Sequence, residues 1–282
     1  MDETRRNRRD HRSIGAYVAS GDYSDYWRTS ISRAGEGTIL VRGYPIEEVI
    51  EQLSHVEVVH LVIRGELPSE TDTAVLEAVL KSGVDQQLVS SAACAARYTA
   101  SASPESVIPA LASGVLASGT VTGSPQQCAE MLGSALEAEQ SASTVVERWL
   151  TYPGYVPGLG HPMHKTVEPR AAALRRLVEK AQGWGPACGL LERIAEALGD
   201  QRGGRALPVN LAGMIACVMV DRGWHPLEIG GLGALVYGPA LVAHAVEEIR
   251  EGVPLRIIPD ELGSRYTGPG LRHLPARKRA SD

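Results

Sequence analysis

The sequence predicts a mainly α-helical protein, and three features carry that expectation. Cap residues and first-turn prolines recur ahead of apolar runs, the runs repeat at helical spacing, and strand-like alternation is scarce. The one good strand candidate is residues 38–44, T-I-L-V-R-G-Y, which reads as a short hairpin arm. Pro45 then stands where a first helical residue would, with Ile46, Val49, Ile50 and Leu53 behind it at helical spacing. Ser54 and Glu57 form a capping box for a run that ends at Gly65, and Ser69 caps the next segment through Leu80. Ser124, Pro125 and Gln127 repeat the pattern of cap, proline and third-position glutamine. The apolar stripe Met131, Leu132, Ala135 and Leu136 follows. Pro169 opens another helix, with Leu174, Leu177 and Val178 on its inner face. Glycine and proline cluster at 151–162 and 252–270, and no internal repeat or low-complexity linker is present.

Composition narrows the function classes. A chain of 282 residues suffices for one large domain or two coupled ones, and 22% charged with 44% hydrophobic residues is ordinary globular composition. A net charge of −5 gives no reason to expect nucleic acid or an anionic membrane as partner. The basic run R-R-N-R-R-D-H-R within residues 1–25 reads as a solvated tail. Cys94, Cys128, Cys188 and Cys217 are scattered without a C-x-x-C pair, which argues against disulfides or zinc and fits a reducing cytoplasm. The N-terminus lacks the apolar segment of a secretory leader. The apolar stretches 206–220 and 229–246 are broken by Asn210, Gly213, Pro239 and His244, so buried helices are expected there and no membrane span.

One stretch carries chemistry: residues 158–170, G-L-G-H-P-M-H-K-T-V-E-P-R. Taken alone, a histidine on a glycine-flanked loop is weak evidence. Here Pro169 fixes a helix start nine residues after His161, and amide groups at such a start attract anions. Arg170 at that mouth can grip a carboxylate or phosphate in a fork, while a nearby imidazole polarises or protonates an oxygen of the same ligand. This is the pattern of a site for a polar small molecule.

These residues bring the chain to a resemblance. W-R-T-S-I-S (27–32), I-L-V-R-G-Y-P-I-E-E-V-I (39–50), E-V-V-H-L-V-I-R-G-E-L-P-S-E (57–70), G-L-G-H with E-P-R-A, L-P-V-N-L-A-G (207–213), P-A-L-V-A-H-A-V-E-E (239–248) and Y-T-G-P (266–269) occur in the order of the citrate synthase superfamily. The chain most resembles its short citryl-CoA lyase-like members, over about residues 25–275. The resemblance implies a two-domain helical fold in an intertwined homodimer, approximately a large domain of 26–125 and 221–282 with a small domain of 126–220. It also implies a coenzyme A thioester as substrate, no tightly bound cofactor, no metal, and a carbon–carbon bond made or broken next to a 2-oxo acid. The Gly-His histidine that polarises the keto carbonyl is then His161, and the anion-binding arginine is Arg170.

Other positions depart from the family pattern. Gln86 stands in place of a substrate-binding histidine, Thr122 in place of the histidine that holds the enol oxygen, Ala212 in place of the aspartate base, and Tyr237 in place of a carboxylate-gripping arginine. Alanine accepts no proton, so ordinary citrate synthesis is expected to be crippled, by ~10²–10⁴-fold for the base alone. Three readings stay open. The first is a diverged acyl-CoA enzyme in which Glu168, His164 or a water replaces the base. The second is a thioesterase or acyltransferase that uses His161 and Thr122, although Thr122 near Ser124 also reads as a helix-entry hydroxyl. The third is a catalytically silent binding or regulatory protein. Candidate substrate-binding residues are Arg170, Gln86, His164, Asn210, Tyr237 and Arg265. His244 reads as a core histidine, His55 and His60 lack a carboxylate partner at metal spacing, His273 and R-K-R (277–279) belong to a tail, and Glu247 and Glu248 read as surface charges.

Overall fold

The computed structural model describes residues 13–24, 26–119, 124–263 and 265–274. Most of them are helical. In chain order α1 is Ile14–Ser20, α2 Ile46–Gln52, α3 His55–Arg64, α4 Glu70–Ser82, α5 Ser91–Ala102, α6 Val107–Leu116, α7 Gln126–Glu137 and α8 Ala142–Thr151. They continue as α9 Pro169–Lys180, α10 Pro186–Gln201, α11 Leu211–Asp221, α12 Pro226–Val236 and α13 Gly238–Glu251. A small antiparallel sheet joins β1 (Ser32–Gly35), β2 (Thr38–Val41) and β3 (Tyr44–Pro45), with Arg33 opposite Leu40 and Leu40 opposite Pro45. The expected hairpin arm is therefore the middle strand.

Local chemistry sets the helix ends. Ser54 donates its N–H to Glu57 Oε2 at 2.7 Å and accepts from the Glu57 amide, a capping box that starts α3, and Gly65 ends it at φ 84°. Ser69 and Asp72 do the same for α4. Two starts fall one residue later than expected. Pro45 is the cap of α2 rather than its first residue, because it still pairs with Leu40 in the sheet. Likewise α7 begins at Gln126, whose N–H donates to Ser124 Oγ at 3.3 Å across Pro125.

The chain forms two compact units, Met1–Gln86 with Ser118–Pro239, and Gln87–Ala117 with Ala240–Asp282. The first has one continuous core of Leu76 and Val79 from α4, Leu132 from α7, Leu174 and Val178 from α9, Leu191 and Ile194 from α10, Met219 from α11 and Ile229 from α12. Helix α11 is its centre: Leu211 and the whole run 213–219 are buried, as its apolar composition requires. On α9, Leu174 and Val178 enter this core, but Leu177 is 49% exposed, because the buried stripe there is narrower than the sequence suggested.

The second unit is built on small residues. Ala100, Ala110 and Ala245 meet at full burial, and a Cβ on Gly114 would strike the Leu241 side chain at 2.8 Å. Here Glu248 corrects an expectation: it is buried, not a surface charge. Arg97 reaches it at 2.9 Å and Arg256 binds it through Nε at 2.5 Å and Nη2 at 3.0 Å. Burial works to raise the Glu248 carboxyl, and the two guanidinium groups outweigh it and hold it below its ordinary value. Pro226–Glu251 is long and apolar enough to cross a membrane by length and composition. It is nonetheless two helices, and Ile229, Leu232 and Val236 of α12 belong to the protein core.

Candidate functional site

The glycine-flanked loop is held against the start of α11 by backbone bonds. Gly160 donates its N–H to the Pro208 carbonyl at 2.8 Å, Asn210 donates its N–H to the Gly158 carbonyl at 2.9 Å, and Leu159 bridges Val209. Gly158 and Gly160 have φ of 86° and 85°, a conformation that disfavours any side chain. A Cβ on Gly158 would also meet Cys128 Sγ at 2.6 Å, and one on Gly213 would run into the Gly158 carbonyl. Two glycines thus allow the loop to touch the helix.

This seat presents His161. Its Nδ1 accepts the N–H groups of Met163 at 3.2 Å and His164 at 3.1 Å. An accepting nitrogen carries no proton, so the neutral ring has its proton on Nε2, free to donate outward. Burial, then repulsion from His164, lower the His161 pKa, with Arg170 and Lys165 adding to the effect and Glu168 opposing it. The shift favours the neutral imidazole, which donates through Nε2. His164 lies beside it, ring centres 4.6 Å apart.

Glu168 and Arg170 form the other half. Glu168 is the cap of α9: its Oε2 accepts from the Ala171 amide at 2.7 Å, and its Oε1 accepts from Arg170 Nε at 2.7 Å. Burial pulls this carboxyl up, but the bonds from Arg170 and Ala171 win and hold it below its ordinary value. Arg170 Nη1 donates to the Asp85 carbonyl at 3.2 Å, and Gln86 is the next residue in the chain, partly buried. Nη2 has no hydrogen-bond partner among the described residues, and the side chain is 27% exposed. The Lys165 ammonium is turned back onto the His161 and Pro162 carbonyls.

The remaining candidates lie elsewhere or are occupied. Asn210 uses both ends of its amide on backbone, Nδ2 to the Gly160 carbonyl and Oδ1 from the Gly213 amide, each at 2.9 Å. Ala212 sits in the first turn of α11, partly buried. Tyr237 is buried at the end of α12, and Arg265 is exposed in the second unit. Thr122 lies outside the described residues. Sequence reasoning missed Asp85, whose part is played by a backbone carbonyl that no side-chain pattern announces.

His161, His164 and Glu168 each offer a ligand atom, all within 4.8 Å of one another. Their donor set does not suit a cation. Both Glu168 oxygens are taken, one of them by a guanidinium, and His161 Nδ1 already faces two N–H groups. A cavity of about 300 Å³ is lined by Glu168, Trp184, Cys188, Met214 and Cys217 among others. Hydrogen bonding to Cys217 and burial push the Cys188 thiol far up, which leaves it inert. Burial also takes Cys128 up to about 12. His60 is a core residue, with Nδ1 3.0 Å from the Glu66 carbonyl and its ring edge-on to Trp224.

A family model described as citrate synthase, C-terminal domain, matches residues 75–252, and the chain belongs to the citrate synthase family. Among solved structures, citryl-CoA lyase from Hydrogenobacter thermophilus is 29% identical with a TM-score of 0.81, over 88% of this chain and 97% of that one. ATP citrate lyase from Methanosaeta concilii, a variant in complex with (3S)-citryl-CoA, is 21% identical with a TM-score of 0.75; the match covers 92% of this chain but 45% of the lyase. Citrate synthase from Thermotoga maritima is 16% identical with a TM-score of 0.54, over 88% of this chain and 95% of that one. The last two likenesses concern the fold. No curated protein sequence matches this chain. The mainly helical citrate synthase-like architecture expected from the sequence is the one observed, and membership supports an enzyme of the CoA-related carbon–carbon lyase and synthase class.

Proposed function

We propose that the protein makes or breaks a carbon–carbon bond between a coenzyme A thioester and a 2-oxo acid with fewer carboxylates than oxaloacetate, and that it is inefficient with citrate. One observation carries this reading: His161 Nε2–H and the open edge of Arg170 belong to one loop-to-helix unit. A neutral imidazole donor suits a carbonyl oxygen whose negative charge grows in the transition state. One free guanidinium edge suits one carboxylate. Gln86 and Tyr237 offer no further positive charge, and Lys165 is turned onto carbonyls. Glu168 serves Arg170 as a positioning carboxylate in this reading, since both of its oxygens are hydrogen-bonded and those bonds disfavour its taking a proton. His164 or an ordered water remains as candidate for the base absent at Ala212. The exposed Ile108 and Leu116 of α6, at 65% and 85%, support a homodimer, because apolar groups left in water on one helix mark a contact surface.

The test is free-thiol release from acetyl-CoA with a panel of 2-oxo acids, beside citryl-CoA cleavage. The reading expects turnover with a monocarboxylic 2-oxo acid above that with oxaloacetate. Citryl-CoA cleavage at ~1 s⁻¹ or faster, an ordinary enzymatic rate, would remove it. Thiol release that needs no 2-oxo acid would instead select the thioesterase reading through His161 and Thr122. A chain that binds CoA and turns over nothing would select the regulatory one.

A further inference from the structure

We propose that Asn210 is the positioning residue for the His161 imidazole rather than a ligand for substrate; the inference rests on His161 acting as the carbonyl-polarising donor. The Gly160 carbonyl belongs to the peptide that leads into His161, and Asn210 Nδ2 donates to that carbonyl at 2.9 Å. The same side chain accepts the Gly213 amide at 2.9 Å, so one amide group ties the loop peptide to the first turn of α11. Its backbone adds a third tie, N–H to the Gly158 carbonyl. The bonds that fix the ring itself, from Met163 and His164 to Nδ1, are all within four residues. They set the tautomer only if the peptide plane before them is held, and Asn210 holds it. One hydrogen of its NH2 and one lone pair of its oxygen are thereby committed to backbone, which fixes the amide in the loop-to-helix seam. The charged and titratable groups around the ring are His164, Lys165, Glu168 and Arg170, all on the loop-to-helix segment and untouched by a change at 210.

The two jobs of Asn210 can be separated. Serine and aspartate both cap helices well, so Asn210→Ser and Asn210→Asp keep the bond to Gly213. Serine is too short to reach Gly160, and aspartate sets an acceptor against its carbonyl. The measurement is the tautomer and titration of His161 in full-length, ligand-free protein. Long-range proton–nitrogen correlation spectra read both, with the signals assigned by their loss in His161→Gln. The wild type is expected to show the Nε2–H form and to titrate below the ordinary value of about 6.5. Asn210→Ser should show both tautomers in exchange and titrate closer to 6.5, with a thermal midpoint within about 2–4 °C of wild type. A folded Asn210→Ser or Asn210→Asp with wild-type tautomer and titration would overturn the proposal. Unfolding of both variants would place Asn210 in the fold alone and overturn it as well. Because no ligand enters the measurement, it fails or succeeds independently of the substrate assays above.

Discussion

Each compact unit hides one glutamate against arginine, and the two sites differ in what is left over. In the second unit Glu248 takes Arg97 and both ends of the Arg256 fork, while the other nitrogens of Arg97 go to Glu247 at 2.6 Å and to His244 at 3.4 Å. In the first unit Glu168 takes the Ala171 amide and, of the Arg170 donors, only Nε, with Nη1 on a carbonyl and Nη2 unclaimed among the described residues. Both carboxylate side chains are fully buried. Where all three guanidinium nitrogens find partners within the fold, as in Arg97, the network holds structure together. Where an edge of it faces outward beside an imidazole donor, the same chemistry becomes a place for a ligand.

The comparison can be broken most sharply at Glu248. Removing one partner of a buried ion pair strands the other, so Glu248→Ala should lower stability by about 3–5 kcal/mol, read by urea unfolding. Glu168→Ala should lose less, about 1–2 kcal/mol for the cap, since Arg170 can turn to water. Equal losses would mean that the two sites are one kind of thing. Acid sharpens the same point. Both carboxyls are held below their ordinary 4.5, so the unfolded chain binds more protons there, and stability present above 4.5 is lost as pH falls through the lowered values. In Glu248→Gln that acid-dependent part should shrink, which a pH series of urea midpoints would reveal. The smallest effect is expected at Arg175, which pairs with Glu179 at 2.8 Å while 44% exposed. Breaking that pair with Glu179→Gln should change stability by no more than about 0.5 kcal/mol.

How much of this was legible in the sequence follows from the range of each interaction. Capping boxes at Ser54 and Ser69 were readable because their partners are three residues away. The link of His161 to Arg170 was readable because one loop and one helix start contain both. Glu248 was misread as a surface charge because Arg97 lies 151 residues away in sequence. The Asp85 carbonyl on Arg170 escaped because backbone acceptors carry no signature in residue types. Asn210 was named as a substrate ligand, and its bonds to Gly160 and Gly213 escaped because backbone partners across a loop and a helix start carry no spacing signal.

The most direct test of the account is calorimetric titration of the intact protein and of Arg170→Ala with CoA, acetyl-CoA and pyruvate. The wild type should bind at least one of them. Arg170→Ala should bind that ligand about 10- to 100-fold more weakly, the 1.4–2.8 kcal/mol expected for losing a charged hydrogen bond. Binding of equal strength in the two proteins, or heat from none of the three ligands, would contradict the claim that the open edge of Arg170 is where substrate is held.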